Sequence, residues 1–202
     1  ILPIILVLAA GGDYIYRSGY LHIPSPGGGG STRNITGSEL YSFDGFSSAV
    51  YEVLFTSRGQ NRTLRYVLNV EGGSVMGGEC WIVRINVTSE GQPIAIYRVA
   101  VSRKDGGILS SEMIIRGRTV NITVASLIIQ AGVGLYNETL RFAGIQTIKT
   151  PLGEVKCRVY NIQFGAANIT YWVSGKYPLP VMWRIESPGM ARRAVLVEVE
   201  KS

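Results

Sequence analysis

AVYEVLFTSRGQNRTLRYVLNV, residues 49–70, decides the fold. In its second half Leu64, Tyr66, Leu68 and Val70 recur at every other position, with Arg65 and Asn69 between them. Side chains two apart share one face of a strand, so this is the pattern of a strand with a buried side and a wet side. The first half, AVYEVLFT, is equally rich in β-branched and aromatic residues. Between the two, SRGQNR is polar and carries a glycine, the signal of a hairpin. The same grammar continues outward. CWIVRINVT (80–88) and IAIYRVAVS (94–102) flank SEGQP, and ILSSEMIIRG (108–117) meets TVNITVASLII (119–129) across Arg118. TLRFAGIQTIKT, EVKCRVYNIQF, NITYWVS, VMWRIES and RAVLVEVEK follow. A 3.6-residue apolar face is suggested only over residues 126–135, which are few and broken by glycine. Ten or so strands at hairpin spacing predict an all-β fold: an antiparallel β-sandwich, immunoglobulin-like, or a strongly curled antiparallel sheet.

The length and composition suit one large β domain or two small ones. Of 202 residues 46% are apolar and only 17% charged, with 20 Lys and Arg against 14 acidic residues for a net charge of +6. The basic residues stand singly or in pairs such as Arg103-Lys104, with no cluster interleaved with aromatics, which argues against nucleic acid as a partner. Catalytic patterns are missing too. The single histidine, His22, has no local acid or nucleophile, and Glu138, Glu154 and Glu186 are isolated. Four glycines at 27–30 lack the strand-to-helix setting and lysine of a phosphate cradle. No Cys/His cluster offers a zinc site, and too few aspartates are present for calcium. The sequence predicts no enzyme and no metal or cofactor beyond covalent N-glycans.

Those glycans are expected from the asparagines. Of the eight in the chain, Asn34, Asn61, Asn86, Asn121, Asn137 and Asn168 open an N-x-T sequon, the acceptor motif for N-glycosylation. Four read N-[IV]-T. On a strand that places Asn and Thr outward and Ile or Val inward, which explains the asparagine in a setting that otherwise disfavours it. Dense sequons imply a secreted, sugared protein. In an oxidising compartment Cys80 and Cys157, each within a strand-like run, are expected to pair as a disulfide; two buried free thiols are the other reading.

The N-terminal stretch ILPIILVLAA is apolar on all sides and ends at Gly11-Gly12. As a transmembrane helix its ten residues cover about half of the hydrocarbon core, and Pro3 with several β-branched residues is poor helix chemistry. As a signal remnant it lacks the basic n-region. As a strand it needs cover on both faces. Residues 13–38 follow as short strands and a Pro/Gly linker that includes PSPGGGGSTRN, and residues 39–202 form the head. An apolar tail at residues 1–12, a tether, an all-β head and dense sequons together resemble the archaeal thread-type surface filament subunits, glycoproteins polymerised by donor-strand complementation. The resemblance implies that Ile1, Leu2, Ile4, Ile5, Leu6, Val7 and Leu8 complete a neighbouring head. The chain would then be an extracellular pilus-like filament subunit whose partners are identical copies in a helical homopolymer. TPLGEVKCRVY and YWVSGKYPLPVMWRIE are in turn similar to a pattern in secreted β-rich envelope and lipoprotein-like proteins. That pattern supports antiparallel β architecture outside the cell. The alternative to the filament subunit is a monomeric envelope glycoprotein or lipid or ligand carrier, with ILPIILVLAA folded back into its own sheet or kept as an uncut anchor.

Overall fold

A computed structural model describes residues 33–123 and 138–202. Twelve strands form one antiparallel sheet in the order β1-β8-β9-β10-β11-β12-β2-β3-β4-β5-β6-β7. They are β1 (Ile35–Thr36), β2 (Ser48–Ser57), β3 (Gln60–Val75), β4 (Gly78–Ser89), β5 (Gln92–Ser102), β6 (Ile108–Ile115), β7 (Arg118–Asn121), β8 (Thr139–Thr150), β9 (Gly153–Phe164), β10 (Ala167–Val173), β11 (Met182–Ser187) and β12 (Met190–Glu200). The expected all-β antiparallel class is right; the sandwich of two sheets is not what forms. Two meanders, β2 to β7 and β8 to β12, join edge to edge through β12 and β2, so hydrogen bonding never breaks to start a second sheet. β1 takes residues 35–36, which composition assigned to the linker, into the sheet against Leu140 and Thr139. The apolar tail residues Ile1, Leu2, Ile4, Ile5, Leu6, Val7 and Leu8, the glycine tether and Asn137 lie outside the described residues.

Tight turns set the register. SRGQNR reads as a loop of six, but the strands run to Ser57 and from Gln60, leaving only Arg58-Gly59. Met76-Gly77, Glu90-Gly91 and Arg116-Gly117 make equivalent turns between β3 and β4, β4 and β5, and β6 and β7. All four pairs carry positive φ at both positions, 50–51° at the first residue and 74–79° at the glycine. That is the signature of the two-residue turn whose twist matches the strands on either side. Interruptions in register at Val87/Thr88, Ala100/Val101, Phe142/Gly144 and Leu196/Glu198 add local bends, and bends of this kind curl a sheet.

One face of the curl is the core. Tyr51, Val53, Leu64, Tyr66, Leu68, Val83, Ile85 and Val99 from one meander join Tyr160, Ile169, Tyr171, Trp183, Ile185 and Leu196 from the other in a single buried cluster. Trp183 sits at its centre, 1% exposed, its ring 6.4 Å from those of Tyr51 and Tyr66. The Tyr51 hydroxyl donates to the Pro180 carbonyl at 2.6 Å, which satisfies the one polar atom that this ring brings inside.

The first residue of each tight turn holds a left-handed conformation that Asn adopts far more readily than Glu or Arg. Glu90→Asn and Arg116→Asn should each stabilise the fold by about 0.5–1 kcal/mol, read as a rise in the urea midpoint at unchanged slope. Gly91→Ala should do the opposite.

Candidate functional site

Between β1 and β2 the chain leaves the sheet and crosses its mouth as a strap. Residues Gly37–Leu40 form one 3-10 turn, held at its start by a capping box. The Thr36 N–H donates to Glu39 Oε2 at 2.8 Å, and the Arg33 guanidinium pairs with the same carboxylate. Beyond the turn Tyr41 stacks on Phe43 at 5.6 Å between ring centres, and Phe43 leans on Phe46 at 6.2 Å. Leu40 and Phe46 are buried in the core, pinning the strap from below. The far side is clamped by the connection between β10 and β11, where the Ser42 N–H donates to the Pro178 carbonyl at 2.7 Å. Gly45 lies so close to Pro178 that a Cβ there would meet the ring at 2.9 Å.

The strap leaves a cleft on each side. One, of about 510 Å3, lies over Trp81, Val101 and Ile108, with the Arg103 guanidinium stacked 3.8 Å above the Trp81 ring. The other is larger, about 860 Å3, and opens between the strap and β8 to β10. Its floor is apolar: Leu40, Phe142, Tyr160 and Val173, with Phe142 and Tyr160 meeting edge to face at 6.0 Å. Lys156, Arg158, Lys176 and Lys201 line the same cleft. Alternation along β9 accounts for two of them, since Lys156, Arg158 and Tyr160 share a face while Val155, Cys157 and Val159 turn to the other. Glu39 is the one carboxylate in the lining, and Arg33 already engages it. None of the four cations is in an ion pair among the described residues. The cleft is thus apolar below, positively charged around, and short of counter-charge.

The sequons fall where alternation puts them. Asn34, Asn61, Asn121 and Asn168 are exposed and Asn86 is half-buried, while Ile35, Val87 and Ile169 are buried in the core and Ile122 packs against it. None of these asparagines lines either cleft. The cysteines need a correction. Cys80 and Cys157 are buried free thiols and no bridge joins them. They stand on β4 and β9, with β10, β11, β12, β2 and β3 between these in the ladder. Cys157 belongs to a small separate cluster with Val155 and Val181, from which Cys80 is absent. Sequence reasoning fixed on Cys157 and passed over the two cations that flank it. Lys176 and Lys201 come from other elements and gave no local signal.

The molecule defined so far is an all-β protein built on one curled antiparallel sheet, with a strapped mouth and a cationic cleft. No protein-family model matches the chain, and no curated protein does. Among solved structures, a DUF1329 family protein from Desulfovibrio piger aligns over 79% of this chain and 88% of its own at 11% identity and a TM-score of 0.44. A protein described as exported, with a YmcC-like fold, from Bacteroides fragilis aligns over 81% and 100% at 13% identity and TM-score 0.42. A domain from Vibrio parahaemolyticus described as outer membrane lipoprotein-sorting aligns over 80% and 86% at 8% identity and TM-score 0.42. Likeness at this level assigns neither a ligand nor a role. None of the three is described as a filament subunit, and the expected resemblance to archaeal thread-type filament subunits is corrected, together with the helical homopolymer of identical subunits. The ladder of the described residues runs unbroken from β1 to β7, with no vacancy between strands for a donor to fill.

Two outcomes follow from the site. Burial raises the Glu39 pKa, but the Thr36 amide and the Arg33 pair outweigh it and hold the carboxyl below its ordinary value. A carboxylate depressed in the folded state stabilises above the ordinary carboxylate range and loses that contribution as pH falls through the lowered value. Protection factors of the amides in residues 39–45 should therefore fall in acid more than those in β2, and Glu39→Gln should flatten that difference. Burial also pushes the Cys157 thiol up to about 11, and its Sγ lies 3.6 Å from the Val155 carbonyl. Only the thiolate reacts, so Cys157 in the native protein should resist alkylation at about pH 8 and react after unfolding.

Proposed function

We propose that the chain works outside the cytoplasm as a β-sheet carrier for an anionic amphipathic ligand, a carboxylate or phosphate ester on an aliphatic tail. One observation carries this reading: four cations that have no ion-pair partner among the described residues ring a cleft whose floor is Leu40, Phe142, Tyr160 and Val173. An apolar ligand alone has no use for that charge, and an inorganic anion has no use for that floor. The sequons support the compartment. The reading is of a binding protein and not an enzyme, because the cleft lining brings no acid and base together and carries one carboxylate engaged elsewhere.

Magnitudes divide the labour between tail and head. Exposed ion pairs contribute about 0.2–1 kcal/mol each, whereas each buried methylene contributes about 0.8 kcal/mol. The tail therefore sets affinity, and the cations set the choice of head group. Lengthening the tail by four methylenes gains about 3 kcal/mol while the floor has room. Reversing two cations removes selectivity before it removes binding.

Displacement of a fluorescent fatty acid, measured with alkyl carboxylates, alkyl phosphates, alcohols and amines of equal length, checks this. Anionic amphiphiles should bind at least about tenfold tighter than amines, and Lys156→Glu with Arg158→Glu should erase that preference. Equal affinity for alkyl amines and alkyl carboxylates would sink the reading.

A further inference from the structure

We propose that Asn34 and Asn121 carry N-linked glycans that cover the two open edges of the sheet and keep the chain monomeric. The placement comes from the topology. Of the described strands β1 and β7 are the outermost, and one N-[IV]-T sequon lies on each: Asn34-Ile35-Thr36 runs into β1, and Asn121-Ile122-Thr123 closes β7.

Among the described residues both edges are short of cover. β1 pairs only with Leu140 and Thr139, and just past them the Phe142 N–H donates to Asn34 Oδ1 at 3.0 Å. The Asn34 carboxamide is therefore fixed on β8 where its pairing stops, and from Ala143 onward no described strand pairs with that side of β8. Ile145 stands in this stretch, 54% exposed. At the other end β7 pairs with Glu112–Ile115, and the Ile122 N–H reaches Ser111 before the pairing ends. Val120 on β7 and Leu109 on the uncovered part of β6 are 51% and 46% exposed. The exposed large apolar side chains among the described residues are Leu54, Met76, Leu109, Val120 and Ile145, and the last three stand at the edges.

Unpaired backbone beside exposed aliphatics is a template for pairing with a second copy. A glycan is bulky and hydrated, and one attached at each of these asparagines lies against that template. Asn61 on β3 and Asn168 on β10 are exposed as well, but each strand has neighbours on both sides, so glycans there protect no edge.

The chemistry is a group transfer. The Asn Nδ2 forms a bond to the anomeric carbon of an oligosaccharide carried on a lipid diphosphate. The anomeric C–O bond breaks, the lipid diphosphate leaves with the electron pair, and the amide loses one proton.

The full chain made in a host that transfers N-glycans tests this, through glycopeptide mass spectrometry and sedimentation equilibrium. Two double variants are compared, Asn34→Gln with Asn121→Gln and Asn61→Gln with Asn168→Gln. Glycans should be found on Asn34 and Asn121, and the parent and the second variant should be monomeric. The first variant should self-associate at least about tenfold more tightly. Adding Leu109→Lys and Ile145→Lys to it should restore the monomer, which separates edge pairing from misfolding. Unmodified Asn34 or Asn121, equal self-association of the two variants, or association that the lysines fail to relieve would each overturn the proposal.

Discussion

The pairing of β12 with β2 is the contact on which the rest of the molecule depends. From Ser48 opposite Glu200 to Ser57 opposite Met190, it stitches the last described strand to the first long one among the described residues. Without it there are two meanders, each with a raw edge and half of an apolar face. With it, Val53 and Ala194 face each other fully buried, and Tyr51 lies opposite Leu196. Trp183, one strand from the seam on β11, then has the rings of Tyr51 and Tyr66 from the other half to lean on. The strap depends on the seam as well, because Phe46 enters the core immediately ahead of β2, and the Ser47 N–H donates to the Glu200 carbonyl.

Local physics was open to reading. Alternation over residues 63–70 named the buried face of β3, and N-[IV]-T named the inward residues at four sequons, because both depend only on the two-residue period of a strand. Turn length was harder. A polar run of six around Gly59 looks like a loop, yet polar side chains continue a strand happily on its wet face, and the glycine alone marks where the chain reverses. The choice between a sandwich and one curled sheet stayed open, since the β2–β12 pairing joins residues far apart in sequence and leaves no mark in either strand. The cleft was hidden for the same reason. Lys156, Arg158, Lys176 and Lys201 are scattered in sequence and are brought together by the bend of β8 to β10, the loop after them and the C-terminal end. Composition also misled: buried cysteines in a sequon-rich chain suggested a bridge, and only the strand order shows how far apart in the ladder they lie.

The strap shows how one short segment can serve two masters. Phe46 is an ordinary core residue and Leu40 serves both core and cleft floor, whereas Tyr41, Ser42 and Glu39 face the clefts. Its anchors differ in kind on its two sides. Arg33, Thr36 and Glu39 hold it by charge and hydrogen bonds, and Pro178 and Gly45 hold it by close packing. Acid loosens the first set and leaves the second untouched.

The tight hairpins have a consequence in time. Two-residue turns such as Arg58-Gly59 bring their strands together with almost no loop to close, and hairpins of this kind form within about 1–10 μs. The seam must wait until β12 has been made. As the polypeptide emerges from its N-terminus, β2 finds β3 at once, but its other side stays unsatisfied until Met190–Glu200 follows. During that interval the hazard is an open edge in the middle of the future sheet, which closes only when β12 arrives.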